Sequence, residues 1–182
     1  GECMVEFFDR GDGLWQRGFA GDTLNVAWAL RALLPVEVPV GYVTRVGQDA
    51  VSQAMVDFIA AAGIGTASIS RDPDRTVGLY TIATDAAGER SFSYWRDASA
   101  ARHLAEDEGA LATGLTGARL VYLSGITAAI LGPQGRATLL AALEQTKGQG
   151  ALIAHDPNHR PRLWESPAAA QDFARQIAAL AD

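Results

Sequence analysis

The stretch Gly18-Phe19-Ala20-Gly21-Asp22-Thr23-Leu24-Asn25 carries a glycine-containing loop straight into residues that favour a helix. Amides at a helix start bind anions or hydroxyls, and Asp22, Thr23 and Asn25 add acceptors and donors of the kind a polyol needs. The loop matches neither Gly-x-x-x-x-Gly-Lys-Ser/Thr nor Gly-x-Gly-x-x-Gly. The competing reading is an ordinary capped helix start.

A second stretch, Asp156-Pro157-Asn158-His159-Arg160-Pro161-Arg162-Leu163-Trp164, follows an apolar run that reads as a strand. Asn158 and Arg160 suit a phosphate or a carboxylate, because a guanidinium offers two parallel N–H bonds to either group. A loop whose Asp and Asn only close turns is the alternative. His155 and His159 have the spacing of a helical zinc pair, but Pro157 and Pro161 argue against a helix there, so no metal site is expected.

The third candidate is a face rather than a loop. Residues 77–83 and 91–96 are short strand-like runs joined by the polar turn Asp85-Ala86-Ala87-Gly88-Glu89, which reads as a hairpin. A turn centred near Ala87 sets Tyr80 opposite Tyr94, and two-residue periodicity adds Phe92 and Arg96 to the same face. Two phenols and a guanidinium on one surface suit a small ligand, or they form a solvated sheet face. His103 reads as a surface or cap residue and Glu106-Asp107-Glu108 as a charged helix start.

The elements that must position these residues alternate along the chain. A helix is expected over 23–34, capped by Asp22, with Leu24, Ala27, Leu30 and Leu34 on one stripe, and Pro35 and Pro39 stop it. The apolar run 38–43 reads as a buried strand. It leads through Gly47-Gln48-Asp49 into a helix whose Val51, Met55, Phe58, Ile59 and Ala62 face inward before Gly63 ends it. After residue 118 the pattern is strand 119–124, helix 133–147 with Gly148 after it, strand 151–155, and a helix capped by Ser166. Strands separated by crossover helices imply a parallel sheet, and ligands then collect beyond the strands' carboxyl ends, here Ser124-Gly125 and His155 to Asn158.

Composition narrows the class. The chain has 182 residues, 48% hydrophobic and 20% charged, which suffices for a buried core. Its 21 acidic and 15 basic residues give a net charge of -6 with no basic block, so nucleic acid is not an expected partner. Lys147 is the sole lysine, so anions here meet arginine forks. The single cysteine, Cys3, reads as a small buried side chain in a reducing compartment. No apolar run approaches the roughly 18 residues a bilayer crossing needs, so a cytoplasmic protein without membrane association is expected. The strand-like opening from Gly1 to Phe8, without an initiator methionine, suggests residues upstream.

Together, Gly1-Glu2-Cys3-Met4-Val5-Glu6, Ala20-Gly21-Asp22-Thr23-Leu24-Asn25-Val26-Ala27, Val43-Thr44-Arg45-Val46-Gly47-Gln48-Asp49, Thr76-Val77-Gly78-Leu79-Tyr80, Ser93-Tyr94-Trp95-Arg96, Leu123-Ser124-Gly125-Ile126 and Asp156-Pro157-Asn158-His159-Arg160 resemble the ribokinase-like (PfkB) carbohydrate kinases. They arrive in that family's order and cover nearly the whole chain. The Tyr-Trp-Arg segment, and Asp-Pro-Asn-x-Arg with Leu-Trp following, are similar to the subgroup acting on keto sugar acids.

The resemblance implies a fold and an activity. The fold is an α/β three-layer sandwich, with a parallel central sheet and a small β-sheet lid formed by about 5–19 and 76–97. Residues 1–182 would be the N-terminal part of that single domain, without the C-terminal ATP-binding part. The activity is transfer of the γ-phosphoryl group of ATP, with Mg2+, to the terminal hydroxyl of 2-keto-3-deoxygluconate.

By the same resemblance, Gly21, Asp22, Thr23, Leu24 and Asn25 hold sugar hydroxyls, and Tyr80, Tyr94, Trp95 and Arg96 line the lid side. Arg160 stands between substrate and transferring phosphate, and Asn158, His159 and Arg160 touch the nucleotide. The lid also implies a homo-oligomer. The family's Gly-Ala-Gly-Asp segment, with its general-base Asp, does not occur in this sequence, so the catalytic residue is expected downstream and the segment alone is expected to be inactive. A kinase of a neutral sugar of the fructose or ribose type, and a non-catalytic remnant that binds sugar acids, are the alternatives.

Overall fold

A computed structural model describes residues 1–85 and 87–182. Alternating short strands and amphipathic helices build it. In the first half, β1 (Met4–Asp9) and β2 (Trp15–Ala20) precede α1 (Asp22–Leu33), followed by β3 (Thr44–Val46), α2 (Ala50–Ala61), β4 (Ile69–Arg71), β5 (Leu79–Thr84) and β6 (Arg90–Trp95). After a 3-10 turn at Ala100–His103 come α3 (Glu108–Leu115), β7 (Leu120–Ser124), α4 (Gly125–Ile130), α5 (Gly132–Gly148), β8 (Leu152–Asp156) and α6 (Pro167–Leu180).

The first strands form a four-stranded sheet in the order β2-β1-β5-β6, with β1 parallel to β5 and the outer pairs antiparallel. The hairpin register is the expected one, with Tyr80 opposite Tyr94. Of its turn, Ala86 lies outside the described residues. β3–β4 and β7–β8 are parallel pairs, each joined through helices, α2 between the first two strands and α4 and α5 between the second two.

Two large cores hold these layers, beside a small cluster of Met4, Tyr80 and Ile82 in the four-stranded sheet. One joins Leu24, Val46, Met55, Ile59 and Ile64, and the other joins Leu111, Leu123, Leu143, Ile153, Phe173 and Ile177. The helix starts follow their side chains. Asp49 accepts from the amides of Val51 and Ser52 at 3.0 and 2.9 Å, Asp107 from Ala110, and Ser166 from Ala169. Gly63, at φ +75°, ends α2 in the left-handed conformation that glycine adopts without strain. No helix among the described residues is long and apolar enough to cross a membrane.

Several expectations are corrected. Residues 38–43 do not form a strand. Pro39 lacks a donor, and the segment touches its neighbour only through a Gly41–Gly65 bridge, while the strand itself begins at Thr44. Val51 lies 38% exposed because it sits on the outer side of α2's first turn. Leu34 falls beyond the end of α1 and is exposed. Gly148 is still helical, and Gly150, at φ +98°, makes the turn. The short α4, all but one of whose six residues are buried, was not expected: Gly125-Ile126-Thr127-Ala128-Ala129-Ile130 is too short and too uniformly apolar to show a helical period.

Candidate functional site

The site is assembled where the start of α1 meets the carboxyl ends of β7 and β8. Gly21, not Asp22, is the residue before the first helical turn, with extended backbone. A side chain at Gly21 would overlap the Glu2 carbonyl oxygen, so only glycine lets the loop lie against β1's lead-in. This frees Asp22 from capping. Its Oδ1 accepts from the Thr23 amide at 2.7 Å, while its Oδ2 accepts from the Ser124 hydroxyl and from the Asn158 amide group, the latter at 2.8 Å.

Three chain segments thus converge on one carboxylate. Ser124 itself is fully buried and also accepts from the Ile126 amide. Asn158 holds the left-handed conformation, φ 29°, which Asn tolerates better than most residues, and its amide donates to Asp156 Oδ1 at 3.0 Å. Gly125 is needed here because a side chain there would overlap the Pro157 carbonyl. Tyr122 donates to the other Asp156 oxygen at 3.4 Å, and burial, then the Asp156 and Asp22 charges, push its phenol up to about 12.

The remaining loop residues divide. Thr23 and Leu24 are buried: the Thr23 hydroxyl meets the Tyr42 phenol at 2.9 Å, and Leu24 belongs to the core. Asn25 is exposed, with its backbone amide bonded to the Gly21 carbonyl at 2.8 Å. The partly exposed Asp22 and the exposed Asn25 are therefore the side chains of this loop that are open to a ligand.

The sheet supplies the second part. Tyr80 stacks on Tyr94 with ring centroids 5.6 Å apart, and Tyr94 stacks on Phe92 at 6.3 Å. The Tyr80 hydroxyl donates to Glu6, and burial together with that carboxylate pushes the phenol well above its ordinary range. Trp95 is exposed on the opposite face of β6 from Tyr94, because neighbouring side chains alternate.

Arg96 shares Tyr94's face, its guanidinium carbon 6.0 Å from that ring, but its charge is not free. Arg96 is 8% exposed and pairs with the carboxylate of Glu2, 3% exposed, whose other oxygen accepts from the Ser99 hydroxyl at 2.6 Å. Glu2 therefore joins the two parts: its carbonyl abuts Gly21 and its carboxylate holds Arg96. The Arg96 Nε is buried without a partner among the described residues. His159 and Arg160 are exposed beside Asn158 at the rim, with Arg160 making only a 3.5 Å contact to the His159 carbonyl.

Chemically, these residues offer an oriented carboxylate, an exposed amide side chain, an aromatic wall and an exposed guanidinium. They suit binding and orienting a polyhydroxyl ligand. Among the described residues no three His, Cys, Asp or Glu side chains converge as a metal site requires, so no step through magnesium is assigned to them.

Residues 12–182 match the family model described as pfkB family carbohydrate kinase. The chain belongs to the pfkB carbohydrate kinase family. Among curated pfkB relatives, it is 40% identical over 180 residues to the 2-dehydro-3-deoxygluconokinase of Escherichia coli K12, covering 97% of this chain and 58% of that protein. It is 43% identical over 169 residues to the 2-dehydro-3-deoxygluconokinase of Dickeya dadantii, covering 91% of this chain and 54% of that protein. Fructokinases match at 25% to 29% identity. The crystal structure of a PfkB protein from Polaromonas sp. JS666 superposes with a TM-score of 0.84 at 26% identity, covering all of this chain and 62% of that one. The chain thus spans a little over half the length of the relatives it matches.

Two residues of this arrangement, Glu2 and Ser124, carry geometry that sequence reasoning did not assign. A lone carboxylate in an otherwise apolar strand entry was the available signal for Glu2. Ser124, as a strand-end serine before glycine, carried none.

Proposed function

We propose that this chain forms the sugar-binding part of an ATP-dependent kinase of 2-dehydro-3-deoxygluconate, also called 2-keto-3-deoxygluconate. The observation that carries the reading is the Asp22 carboxylate, aimed by Ser124 and Asn158 and tied through Gly21 and Glu2 to the Tyr80, Tyr94, Arg96 face. Greater identity to 2-dehydro-3-deoxygluconokinases than to fructokinases supports the acid substrate.

In this reading Asp22 and Asn25 bind sugar hydroxyls, and Tyr80 and Tyr94 wall the pocket. Arg160 meets anionic oxygens at the rim, and Asn158 and His159 stand on the nucleotide side. The sugar's terminal hydroxyl oxygen attacks the γ-phosphorus, the bond to the β-phosphate oxygen breaks, ADP departs, and the hydroxyl proton passes to a base in the remaining length of the family domain. These residues contribute positioning and charge, which dominate phosphoryl transfer. The exposed Trp15 and Trp95, on the face of the lid sheet opposite Tyr80 and Tyr94, suit packing against a second copy. The reading assigns the enzyme to the cytoplasm, where ATP is available and a single thiol stays reduced.

One observation favours a neutral-sugar kinase instead: Glu2 already balances the Arg96 charge, so a substrate carboxylate must be met by Arg160 or by displacing Glu2. Steady-state ADP release by the full-length protein separates the two. The expected result is a kcat/KM for 2-keto-3-deoxygluconate at least 100-fold above that for fructose; equal or greater efficiency with fructose refutes the acid reading.

A further inference from the structure

The site face of the four-stranded sheet carries a carboxylate with no counter-charge among the described residues. Alternation along the paired strands puts Gly18, Glu6, Tyr80 and Tyr94 in one row across β2, β1, β5 and β6, on the face that Arg96 shares. Arg96 balances the charge of Glu2, whereas the partly buried Glu6 forms no ion pair among the described residues. Its side-chain partner is the Tyr80 hydroxyl, on Oε2.

A phenol has one proton to give, and an ionised carboxylate has only lone pairs. The bond therefore commits the Tyr80 proton to Glu6 and leaves the phenol oxygen with lone pairs alone. Burial, and after it the Glu6 bond and charge, raise the phenol above its ordinary range, which keeps that proton in place at neutral pH. Stacking on Tyr94, with ring centroids 5.6 Å apart, fixes the direction in which the oxygen points.

The other Glu6 oxygen, Oε1, has no hydrogen-bond partner among the described residues, and it borders a notch. A side chain at Gly18 would meet Oε1 at 3.7 Å and no other atom within 4 Å. Gly18 lies two residues before Ala20 on β2, about 7 Å along the strand that runs into the Gly21–Asp22 loop. Two acceptor oxygens with a net negative charge between them thus stand on the lid side, one row out from the loop that carries Asp22.

We propose that Glu6 is a specificity-determining residue of the sugar site: its Oε1, with the oxygen of the Tyr80 that it orients, accepts hydrogen bonds from internal hydroxyls of the substrate and turns the substrate's carboxylate away from this row. The proposal rests on the sugar-kinase reading above and adds a polarity to it, since the row of Gly18, Glu6 and Tyr80 takes donors only.

The test uses the full-length protein, with sugar affinity from calorimetric titration and folding from circular dichroism. Glu6→Leu removes both oxygens and should bind 2-keto-3-deoxygluconate at least tenfold more weakly, with the KM for ATP unchanged. Glu6→Gln, which keeps one acceptor for the phenol, should lose less. Gly18→Ala fills the notch without touching Tyr80 and should weaken sugar binding at least fivefold, which keeps the proposal open to refutation if Glu6→Leu does not fold. An analogue of the keto acid without its internal hydroxyls should bind the parent and Glu6→Leu equally, an outcome that a merely structural Glu6 would not produce. Parental sugar affinity in Gly18→Ala, or as large a loss for the analogue as for the keto acid, overturns the proposal. If the parent takes fructose in place of the keto acid, the acid reading fails, and the same losses measured with fructose sustain the role of Glu6. If the variants keep full affinity for the keto acid, the role of Glu6 fails and the acid reading stands.

Discussion

The Glu2–Arg96 pair decides how the candidate site is held together, and its removal has a worked consequence. Both side chains are almost fully buried, and Gly78 packs its backbone so closely that a side chain there would press on Met4, Arg96 and Glu2 together. Arg96→Ala leaves the Glu2 carboxylate buried with only the Ser99 hydroxyl as partner, and Glu2→Ala leaves a buried guanidinium with none. Deleting one partner of such a pair costs about 3 to 5 kcal/mol. For a chain of this size about 1 kcal/mol moves Tm by about 2 to 4 °C, so each single variant should melt about 6 to 20 °C lower. The double variant leaves no orphaned charge, and its loss should fall short of the sum of the singles by about 2 kcal/mol. Thermal melts and urea titrations of the four proteins give the cycle. Single losses below about 1 kcal/mol that add without coupling would refute the reasoning and would mean that Arg96 is free to address a ligand.

Three further outcomes follow from the geometry. Ser124→Ala removes the hydroxyl that aims Asp22, and in the full-length enzyme it should raise the sugar KM about tenfold, by about 1.5 kcal/mol for a bond to a charged group, with Ser124→Thr restoring most of the loss; a change in kcat alone would contradict the positioning role. Burial pushes the Asp49 carboxyl up, but hydrogen bonds from the Ser52 hydroxyl, the Ser52 amide and Thr76 outweigh it and hold the group at about 2 against an ordinary 3.8. A folded-state value below the unfolded one gives stability that is present above about pH 4 and lost as pH falls toward 2, so urea midpoints of Asp49→Asn should vary less over that window than those of the parent, and an identical slope would count against the cap. Gly125→Ala drives a methyl into the Pro157 carbonyl and should lower stability by about 1 to 3 kcal/mol while exposing the Asn158 loop to proteolysis; an unshifted Tm would show that the two loops are not in contact.

Local chemistry made much of this fold legible. The hairpin register followed from strand alternation about a polar turn, and the start of α6 from Ser166 followed by Pro167. Residues 38–43 read as a strand because they are apolar, but strand pairing needs a neighbour as well as a composition, and among the described residues the segment makes a single bridge, Gly41 to Gly65. α4 was invisible for a related reason, since a one-and-a-half-turn buried helix has no polar face to set its period. At the site, Gly21, Asp22, Asn158, Tyr80 and Tyr94 stood out by type and spacing. Burial of Leu24 and Thr23 was not separable from exposure of Asn25 without knowing which side of α1 packs. The capture of Arg96 by Glu2 spans 94 residues of sequence, and no local pattern encodes a contact of that range.

Calorimetric titration of sugar into the full-length protein without nucleotide tests the central claim, that the Asp22 carboxylate is the anchor for the sugar, most directly. With 2-keto-3-deoxygluconate the unaltered protein should bind, and Asp22→Asn should bind at least tenfold more weakly, with circular dichroism showing that the variant is folded at the titration temperature. Equal affinity in the two proteins would contradict it.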